Sequence, residues 1–343
     1  MENKSTLFLP LVEHMPTESP VKVISVYNHY IKTFGNFKKH IAIPGSTQRS
    51  DLELVQHNKK RYSMNKPIKV ALIQYTVQEK WQDNVNQVER LLTEAHRGEA
   101  ELSILPEMFV QPYDMTIVPD RAESVPGGPT SEKLSGWAQR FKMVIVGGSV
   151  AELGSDGKYY NTATLWSPEG EMLAKHRKVH LFDVDLPGGV SFKESDILSP
   201  GHQVTVVRVL GMNLGIAVCY DIRFPELSRL MTLKGAELIA LPGAFNNVSG
   251  PAHWEIMLRT RAAENTVWVA GVSGLAPPDS GYHSWGHSIL ADPFGTVVAN
   301  MGRAEGVAFC LLDPARLKDV RARLPVMEQR REDLYTLSLN DSV

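Results

Sequence analysis

The chain has 343 residues, of which 43% are hydrophobic and 22% are charged. These proportions are those of a globular protein, and they exclude a disordered, collagen-like or coiled-coil chain. Lys and Arg together number 36 against 38 Asp and Glu, which gives a formal net charge of -2. Proteins that bind nucleic acids or anionic membranes normally carry a basic surplus. We therefore expect neither a nucleic acid nor a membrane as a partner.

Cysteine content and apolar patterning predict the compartment. The 2 cysteines, Cys219 and Cys310, are too few for a disulfide framework in a chain of this length. No apolar run approaches the roughly 20 residues that a membrane-spanning helix needs. The apolar stretch over residues 7–12 contains Pro10 and is short for the hydrophobic core of a secretory signal. These features predict a cytoplasmic protein.

Residues 1–63 differ from the rest of the chain. They carry nine Lys or Arg and five Asp or Glu, and they show no sustained apolar periodicity. A mitochondrial transit peptide would be rich in Arg and poor in acidic residues, and this segment is neither. A strong strand pattern follows shortly after Met64. We therefore interpret residues 1–63 as a poorly ordered, non-catalytic N-terminal extension, either an appended tail or an over-long gene prediction. Residues 64–343 form the predicted folded domain.

Beyond the extension, apolar strands alternate with helices that have one apolar face. Apolar residues at helical spacing predict helices over residues 83–96, 131–141 and 253–264, and a further helix starts at Pro225. The predicted strands are residues 69–75, 102–105, 143–150 (closed by Gly147-Gly148), 161–166, 171–177, 212–218, 237–241, 267–272 and 306–311. Turn signals over residues 167–170 and 292–295 indicate hairpins.

The order of these elements predicts the architecture. Strands that are apolar throughout belong to sheets that are covered on both faces, in general by helices. The two halves of the chain repeat a similar order of elements. The pattern therefore predicts an α/β fold of two stacked sheets with helices outside, a four-layer αββα sandwich.

Three reactive side chains follow predicted strands, namely Glu107, Lys178 and Cys219. The carboxyl ends of strands in α/β sheets form the ligand crevice, so this placement favours their convergence. A Cys between a strand and a helix start can also be held exposed on a tight turn. Each residue has an ordinary alternative: a buried packing Cys, a solvated loop Glu, or a surface Lys. Spacing alone leaves these alternatives open.

Two histidine pairs are candidate metal ligands. His176 and His180 are four residues apart, as are His283 and His287, a spacing that binds zinc on a helix, above all with the Glu of a His-Glu-x-x-His motif. Both pairs fall in predicted strands or loops, and neither contains that Glu. The sequence also lacks the glycine-rich motifs that bind dinucleotides or phosphates. We expect no metal and no cofactor.

Three sequence motifs carry a family resemblance. LPEMF at residues 105–109, HRKVHLF at 176–182 and GIAVCYDIRF at 215–224 resemble the Glu, Lys and Cys motifs of the nitrilase superfamily of carbon–nitrogen hydrolases, in the same order. The resemblance covers about residues 68–336. It implies an αββα sandwich, a small-molecule amide as substrate, no cofactor, and assembly into a homodimer or higher homo-oligomer.

The branch of the superfamily is indicated by further segments. Tyr220-Asp221 follows the Cys where true nitrilases typically carry Trp-Glu, which resembles the amidase branches. Similarity to ω-amidases, which hydrolyse the terminal amide of 2-oxoglutaramate and 2-oxosuccinamate, extends over residues 183–188, 192–195, 242–246, 250–255, 323–325 and 331–335. Deaminated-glutathione amidases share RFPEL at residues 223–227, so they remain an alternative, as does another small-amide or N-carbamoyl hydrolase.

The resemblance also implies roles for the reactive residues. Cys219 would be the nucleophile and Glu107 the general base and acid. Lys178 and the backbone N–H of Tyr220 would stabilise the oxyanion. Glu194 matches the second glutamate of the family and would orient Lys178 or the substrate amide. A non-catalytic scaffold with this fold would be expected to lack one member of the Glu-Lys-Cys triad, and all three are present.

Substrate contacts are predicted more loosely. Tyr113 and Arg223 are candidate partners for a substrate carboxylate, since an Arg guanidinium binds a carboxylate through two parallel hydrogen bonds. Arg223 has an alternative role as a structural residue that ties the turn after Cys219 to a neighbouring acid.

Overall fold

The computed structural model describes residues 66–186 and 190–340. The predicted extension over residues 1–63 lies outside the described residues. The strands in chain order are β1 (Ile68–Gln74), β2 (Leu102–Ile104), β3 (Val144–Leu153), β4 (Tyr159–Trp166), β5 (Met172–Arg177), β6 (Asp183–Leu186), β7 (Val190–Lys193), β8 (Thr205–Val209), β9 (Met212–Ile216), β10 (Leu238–Gly243), β11 (Trp268–Ser273), β12 (Ile289–Ala291), β13 (Val297–Asn300) and β14 (Gly306–Leu312). The α-helices are α1 (Trp81–Arg97), α2 (Val118–Arg121), α3 (Pro129–Phe141), α4 (Pro225–Leu233), α5 (Gly250–Asn265) and α6 (Pro314–Arg323).

Two six-stranded sheets organise the described part of the chain. Their strand orders are β14-β1-β2-β3-β4-β5 and β13-β12-β11-β10-β9-β8, and β6 pairs with β7 in a separate hairpin. The centre of each sheet is parallel (β1, β2 and β3 in one, β9, β10 and β11 in the other), and the flanking strands are antiparallel. Parallel strands place their carboxyl ends at the same edge of a sheet, so the loops after β1, β2 and β3 share one edge of the first sheet and those after β9, β10 and β11 share one edge of the second.

Strand β1 shows how the layers form. Val70 and Leu72 face the second sheet and share one buried cluster with Leu214 of β9. Ala71 and Ile73 point to the opposite face and pack in a second cluster beneath α1 and α3. This alternation follows the two-residue period of a strand. Helices α4 and α5 cover the outer face of the second sheet, so the predicted four-layer αββα sandwich is confirmed.

The structure differs from the sequence prediction in several elements. Strand β3 does not close at Gly147-Gly148 but continues to Leu153, and its register with β4 shifts between Val146 and Ser149. The β6–β7 hairpin, β8 and α6 were not predicted, because these segments are short or carry few apolar residues at a regular period. Within the described residues, no helix combines the length and the apolar character needed to cross a membrane.

Candidate active site

The position of Glu107 depends on the irregular part of β3, where the register with β4 shifts between Val146 and Ser149. Gly148 adopts φ +55°, and a Cβ atom there would lie 2.2 Å from the carbonyl oxygen of Pro106, so only glycine allows the loop after β2 to pack this closely. Ser149 Oγ accepts a hydrogen bond from the N–H of Met108 at 3.0 Å. Together these contacts aim the Glu107 side chain into the molecule, where it is 3% exposed.

Lys178 follows β5 and is fully buried. Its N–H donates to the carbonyl of Asn161 on β4 at 2.8 Å, which extends the strand pairing by one residue. Its Nζ atom lies 3.1 Å from Oε1 of Glu107 and 2.9 Å from Oε1 of Glu194. The carboxylates of Glu107 and Glu194 therefore neutralise the Lys178 ammonium, which faces the loop that carries Cys219.

Glu194 and Tyr113 complete the polar cluster around the lysine. The Tyr113 hydroxyl donates to Glu194 Oε1 and lies 3.1 Å from Lys178 Nζ. Glu194 Oε2 accepts from the N–H of Phe182 at 2.6 Å. Glu194 is therefore placed to orient Lys178. Tyr113 lines the cavity and its hydroxyl donates to Glu194, and its contact with a substrate carboxylate stays a prediction.

Cys219 begins the short 3₁₀ turn Cys219–Arg223 directly after β9. Its backbone has φ +45°, a left-handed conformation that is uncommon for a residue with a side chain. The thiol is 5% exposed, and Sγ accepts a hydrogen bond from the N–H of Ala244 at 3.5 Å. The strand-end rule thus brings Glu107, Lys178 and Cys219 together, as the sequence predicted.

Burial controls the ionisation of the three side chains. Burial raises the pKa of the Cys219 thiol well above its usual value, and the negative charge of Glu107 raises it further. Burial also raises the pKa of Glu107, against the opposing effect of the Lys178 charge. Although burial by itself would lower the pKa of Lys178, the carboxylates of Glu107 and Glu194 outweigh it and raise that pKa. Lys178 therefore stays protonated, and Cys219 rests as a neutral thiol.

The first histidine pair, His176 and His180, contacts the carboxylate of Asp221. His176 Nε2 lies 3.4 Å from Oδ2 of Asp221, and His180 Nδ1 lies 2.9 Å from Oδ1 of the same carboxylate. In the second pair, His287 stacks on Trp285. Over residues 66–186 and 190–340, no group of three or more His, Cys, Asp or Glu side chains is arranged to hold a metal ion.

A cavity of about 820 Å³ opens above the cluster and is lined by Glu107, Tyr113, Asn246 and Tyr282, among others. Asn246 and Tyr282 also line a narrow side pocket that reaches Cys219. The side pocket continues between aromatic side chains and the guanidinium of Arg223. These remaining lining residues are Phe182, Tyr220, Arg223, Phe245 and Ser249.

Arg223 has no carboxylate partner among the described residues. Its Nη1 atom lies 3.2 Å from His253 Nδ1, and its guanidinium lies over the ring of Phe245 at 4.9 Å. Its Nε atom is buried without a hydrogen bond, and burial lowers the pKa of the group. The alternative in which Arg223 ties the turn to a neighbouring acid therefore has no support. A guanidinium with an unused donor beside the thiol is suited to an anionic ligand.

Sequence reasoning missed two polar residues of the site. Asn161 Nδ2 donates to Glu107 Oε1 at 2.8 Å, which fixes one carboxylate oxygen and leaves Oε2 without a partner. Asn246 Oδ1 accepts from the N–H of Ser249 at 2.8 Å, while its Nδ2 atom is buried without a hydrogen bond of normal geometry. Both lie inside segments predicted as a strand or a family motif, and neither has a spacing that signals a site.

Comparison with known proteins shows the family of this chain. A family model described as Carbon-nitrogen hydrolase matches residues 69–322. The chain is 41% identical over 269 residues to Omega-amidase NIT2 from Xenopus tropicalis, covering 78% of this chain and 97% of the relative. Among solved structures, Saccharomyces cerevisiae Nit3, a member of branch 10 of the nitrilase superfamily, matches with a TM-score of 0.72 and 36% identity over 78% of this chain and 98% of Nit3.

A third match concerns the chemistry of the cysteine. A variant of the amidase from Nesterenkonia sp. AN1, captured after Michael addition of acrylamide at its active-site cysteine, matches with a TM-score of 0.64 and 27% identity over 75% of this chain and 98% of that protein. The chain belongs to the carbon–nitrogen hydrolase family, in the nitrilase superfamily. It is therefore a hydrolase of carbon–nitrogen bonds.

Proposed function

We propose that this chain is an ω-amidase that hydrolyses the terminal amide of short dicarboxylic acid monoamides, with 2-oxoglutaramate and 2-oxosuccinamate as substrates. The observation that carries the proposal is the guanidinium of Arg223, which has no carboxylate partner among the described residues and lines the same narrow pocket as Cys219. A short ω-amide has a carboxylate at one end and an amide at the other. With the carboxylate on Arg223, the amide carbon lies toward the thiol.

The catalytic steps follow from the ionisation states. Glu107 removes the thiol proton as Cys219 Sγ bonds to the amide carbon, since a neutral thiol is a weak nucleophile. The oxyanion is stabilised by the Lys178 ammonium and the N–H of Tyr220, and one such donor is typically worth about 10²–10³ in rate. Collapse breaks the C–N bond while Glu107 returns the proton to nitrogen, releasing ammonia. Water activated by Glu107 then hydrolyses the thioester and regenerates the thiol.

Glu194 supports this cycle without touching the reacting atoms. Its hydrogen bond to Lys178 Nζ directs the ammonium, and its bond from the N–H of Phe182 fixes the carboxylate. In the chemistry proposed, no metal or organic cofactor takes part. The protonated Lys178 supplies the fixed positive charge that a metal ion supplies in other hydrolases.

A larger amide such as deaminated glutathione is the second candidate, and the cavity volume of about 820 Å³ favours it, since a five-carbon acid amide fills only part of that space. The charge of the cavity lining favours the smaller substrate. Among the described residues, the lining includes Glu79, Asp114 and Asp279 and no Lys or Arg. Deaminated glutathione has a second carboxylate, which these acids would repel.

Release of the leaving amine by the purified chain tests the proposal, measured as ammonia for the two short amides and as cysteinylglycine for deaminated glutathione. The substrates are 2-oxoglutaramate, 2-oxosuccinamate and deaminated glutathione, and Cys219→Ala is assayed beside wild type with its fold checked by circular dichroism. We expect turnover of the two short amides and loss of activity in the variant. Turnover of deaminated glutathione alone would assign the second candidate. Activity of Cys219→Ala near that of wild type would reject the thioester mechanism.

We also propose that the chain works in the cytoplasm as a homodimer or higher homo-oligomer. Two observations support this proposal. Cys219 and Cys310 are both free thiols, which suits a reducing compartment. The segment after α6 carries exposed apolar side chains, with Leu334 72% and Tyr335 52% exposed, and contact with a second copy of the chain would remove this apolar surface from water. Sedimentation analysis of the purified chain tests the assembly, and a monomer at micromolar concentration would reject it.

A further inference from the structure

One buried carboxylate joins the two loops that carry Lys178 and Cys219. Asp221 is fully buried and lines neither the cavity nor the side pocket. Its Oδ2 atom accepts a hydrogen bond from the N–H of Val218 at 2.9 Å. Its Oδ1 atom accepts from the N–H of His180 at 2.9 Å and from the ring Nδ1 of the same residue at 2.9 Å. The carboxylate therefore spans from the residue before the nucleophile to the second residue after the lysine.

The loops that carry Lys178 and Cys219 both depend on contacts with Asp221 for their conformation. The backbone of Cys219 has φ +45°, and residues with side chains keep such a conformation only where the surroundings impose it. The Asp221 carboxylate accepts a hydrogen bond from the N–H of Val218, the residue directly before Cys219. On the lysine side, His176 and His180 flank Lys178 by two residues in each direction, and both side chains contact the same carboxylate.

We infer that Asp221 is a positioning residue that fixes Sγ of Cys219 relative to Nζ of Lys178. Four donors converge on its two oxygens, so the site requires an acceptor on each oxygen. An Asn of the same shape would turn one of those acceptors into a donor and leave a donor facing a donor. The inference rests on the proposed roles of Cys219 and Lys178, but it does not depend on which amide is the substrate.

The test is the variant Asp221→Asn. Its kcat and KM are measured on whichever of 2-oxoglutaramate and 2-oxosuccinamate wild type hydrolyses, and its Cys219 is alkylated with iodoacetamide. We expect kcat to fall by about 100-fold, the size of loss that small misplacement of reacting groups produces, with KM little changed. We also expect Cys219 to be alkylated more slowly. Asp292→Asn is the matched control, because Asp292 is a buried carboxylate that accepts from the N–H groups of Phe294 and Thr296 at 2.9 and 2.8 Å in a turn outside the cavity lining.

Three outcomes would overturn the inference: a folded Asp221→Asn with the kcat of wild type, an equal loss of kcat in Asp292→Asn, or a loss confined to KM. If Asp221→Asn does not fold, His180→Asn and His180→Ala give a second test. The Asn amide offers a donor in the place of Nδ1 and the Ala side chain does not, so we expect His180→Asn to retain more kcat. Equal losses would count against the inference.

Alkylation keeps this test separate from the identity of the substrate. If wild type hydrolyses neither 2-oxoglutaramate nor 2-oxosuccinamate, the proposed substrate is wrong, but slower alkylation of Cys219 in Asp221→Asn than in Asp292→Asn would still support the positioning role. If wild type is active and the alkylation rates of the two variants are equal to that of wild type, the positioning role is wrong and the substrate proposal stands.

Discussion

The Nζ atom of Lys178 lies 2.9 Å from Oε1 of Glu194, and both side chains are fully buried. A second carboxylate, Glu107, lies on the other side of the same ammonium at 3.1 Å. The single positive charge of Lys178 therefore compensates the negative charges of two carboxylates inside the protein. Burial raises the pKa of Glu107 despite the nearby Lys178 charge, so this carboxyl binds a proton more readily than an exposed one.

The pH dependence of kcat/KM should report Glu107. Burial raises the pKa of this carboxyl above its ordinary value of 4.5, and only its ionised form can accept the thiol proton. Activity is therefore present above the raised pKa and is lost as pH falls through it. We expect an acid limb with a midpoint above 4.5, measured with an uncharged amide between pH 4 and 8. A limb at or below 4.5 would contradict this assignment.

Glu194→Gln should move that limb to lower pH. The negative charge of Glu194 helps to raise the pKa of Glu107, so its removal lets Glu107 ionise more easily. The same change removes a charged hydrogen bond from Lys178, worth about 2 kcal/mol of unfolding free energy. Urea unfolding and the pH profile measure the two effects.

A control for Glu194→Gln is Glu152→Gln. Glu152 is also buried and accepts hydrogen bonds from Lys175 at 2.8 Å and Arg177 at 2.7 Å, but it is not part of the cavity lining. This variant should lose stability and keep the wild-type acid limb. A shift of the acid limb in both variants would show that the shift results from a general loss of stability and not from the charge of Glu194.

Asn246→Asp should discriminate between charged and neutral amides. Oδ1 of this residue accepts from the N–H groups of Val248 at 3.1 Å and Ser249 at 2.8 Å, and an Asp keeps both bonds. The substitution replaces the unpartnered Nδ2 donor by a negative oxygen in the pocket that holds Arg223. We expect kcat/KM for succinamate to fall by about tenfold or more, as for loss of a hydrogen bond to a charged group, and to change little for butanamide. Equal losses on both amides would remove Asn246 from carboxylate recognition.

The two cysteines should differ in reactivity. Burial raises the pKa of Cys310 to about 12, and the residue is 6% exposed on β14 within the first sheet. Cys219 is also buried, but it opens into the side pocket and has Glu107 as a base. Iodoacetamide on the native protein should therefore modify Cys219 and leave Cys310 unmodified, as read by peptide mass spectrometry. Modification of Cys310 at the same rate would contradict the described packing.

Prediction from sequence worked where a local rule determines the structure. The apolar runs of β1 and β10 are long enough to be recognised, and Glu107 and Cys219 each follow a central parallel strand, β2 in one sheet and β9 in the other. The polar hairpin of β6 and β7 has no such run and was missed. Its importance comes from the next residue, Glu194, whose position depends on the hairpin.

Contacts between distant segments were beyond sequence reasoning. Asn161 meets Glu107 across 54 residues of chain, and its position in a regular strand gives no sign of this. His176 and His180 have a spacing that suggests a metal, yet both contact Asp221 more than 40 residues away. Tyr113 is a candidate partner for a substrate carboxylate, and only the fold shows that its hydroxyl also donates to Glu194, 81 residues away.

The neutral resting state of Cys219 bears on oxidative damage. Peroxide and related oxidants attack thiolates, so the susceptibility of a cysteine follows its thiolate fraction and its accessibility. The thiolate fraction of Cys219 is low, because burial and the charge of Glu107 raise the pKa of the thiol. In the proposed mechanism, the proton leaves sulfur only within the reaction step, when Glu107 accepts it. We therefore expect peroxide to oxidise Cys219 more slowly than the nucleophile of a cysteine hydrolase that is permanently ionised.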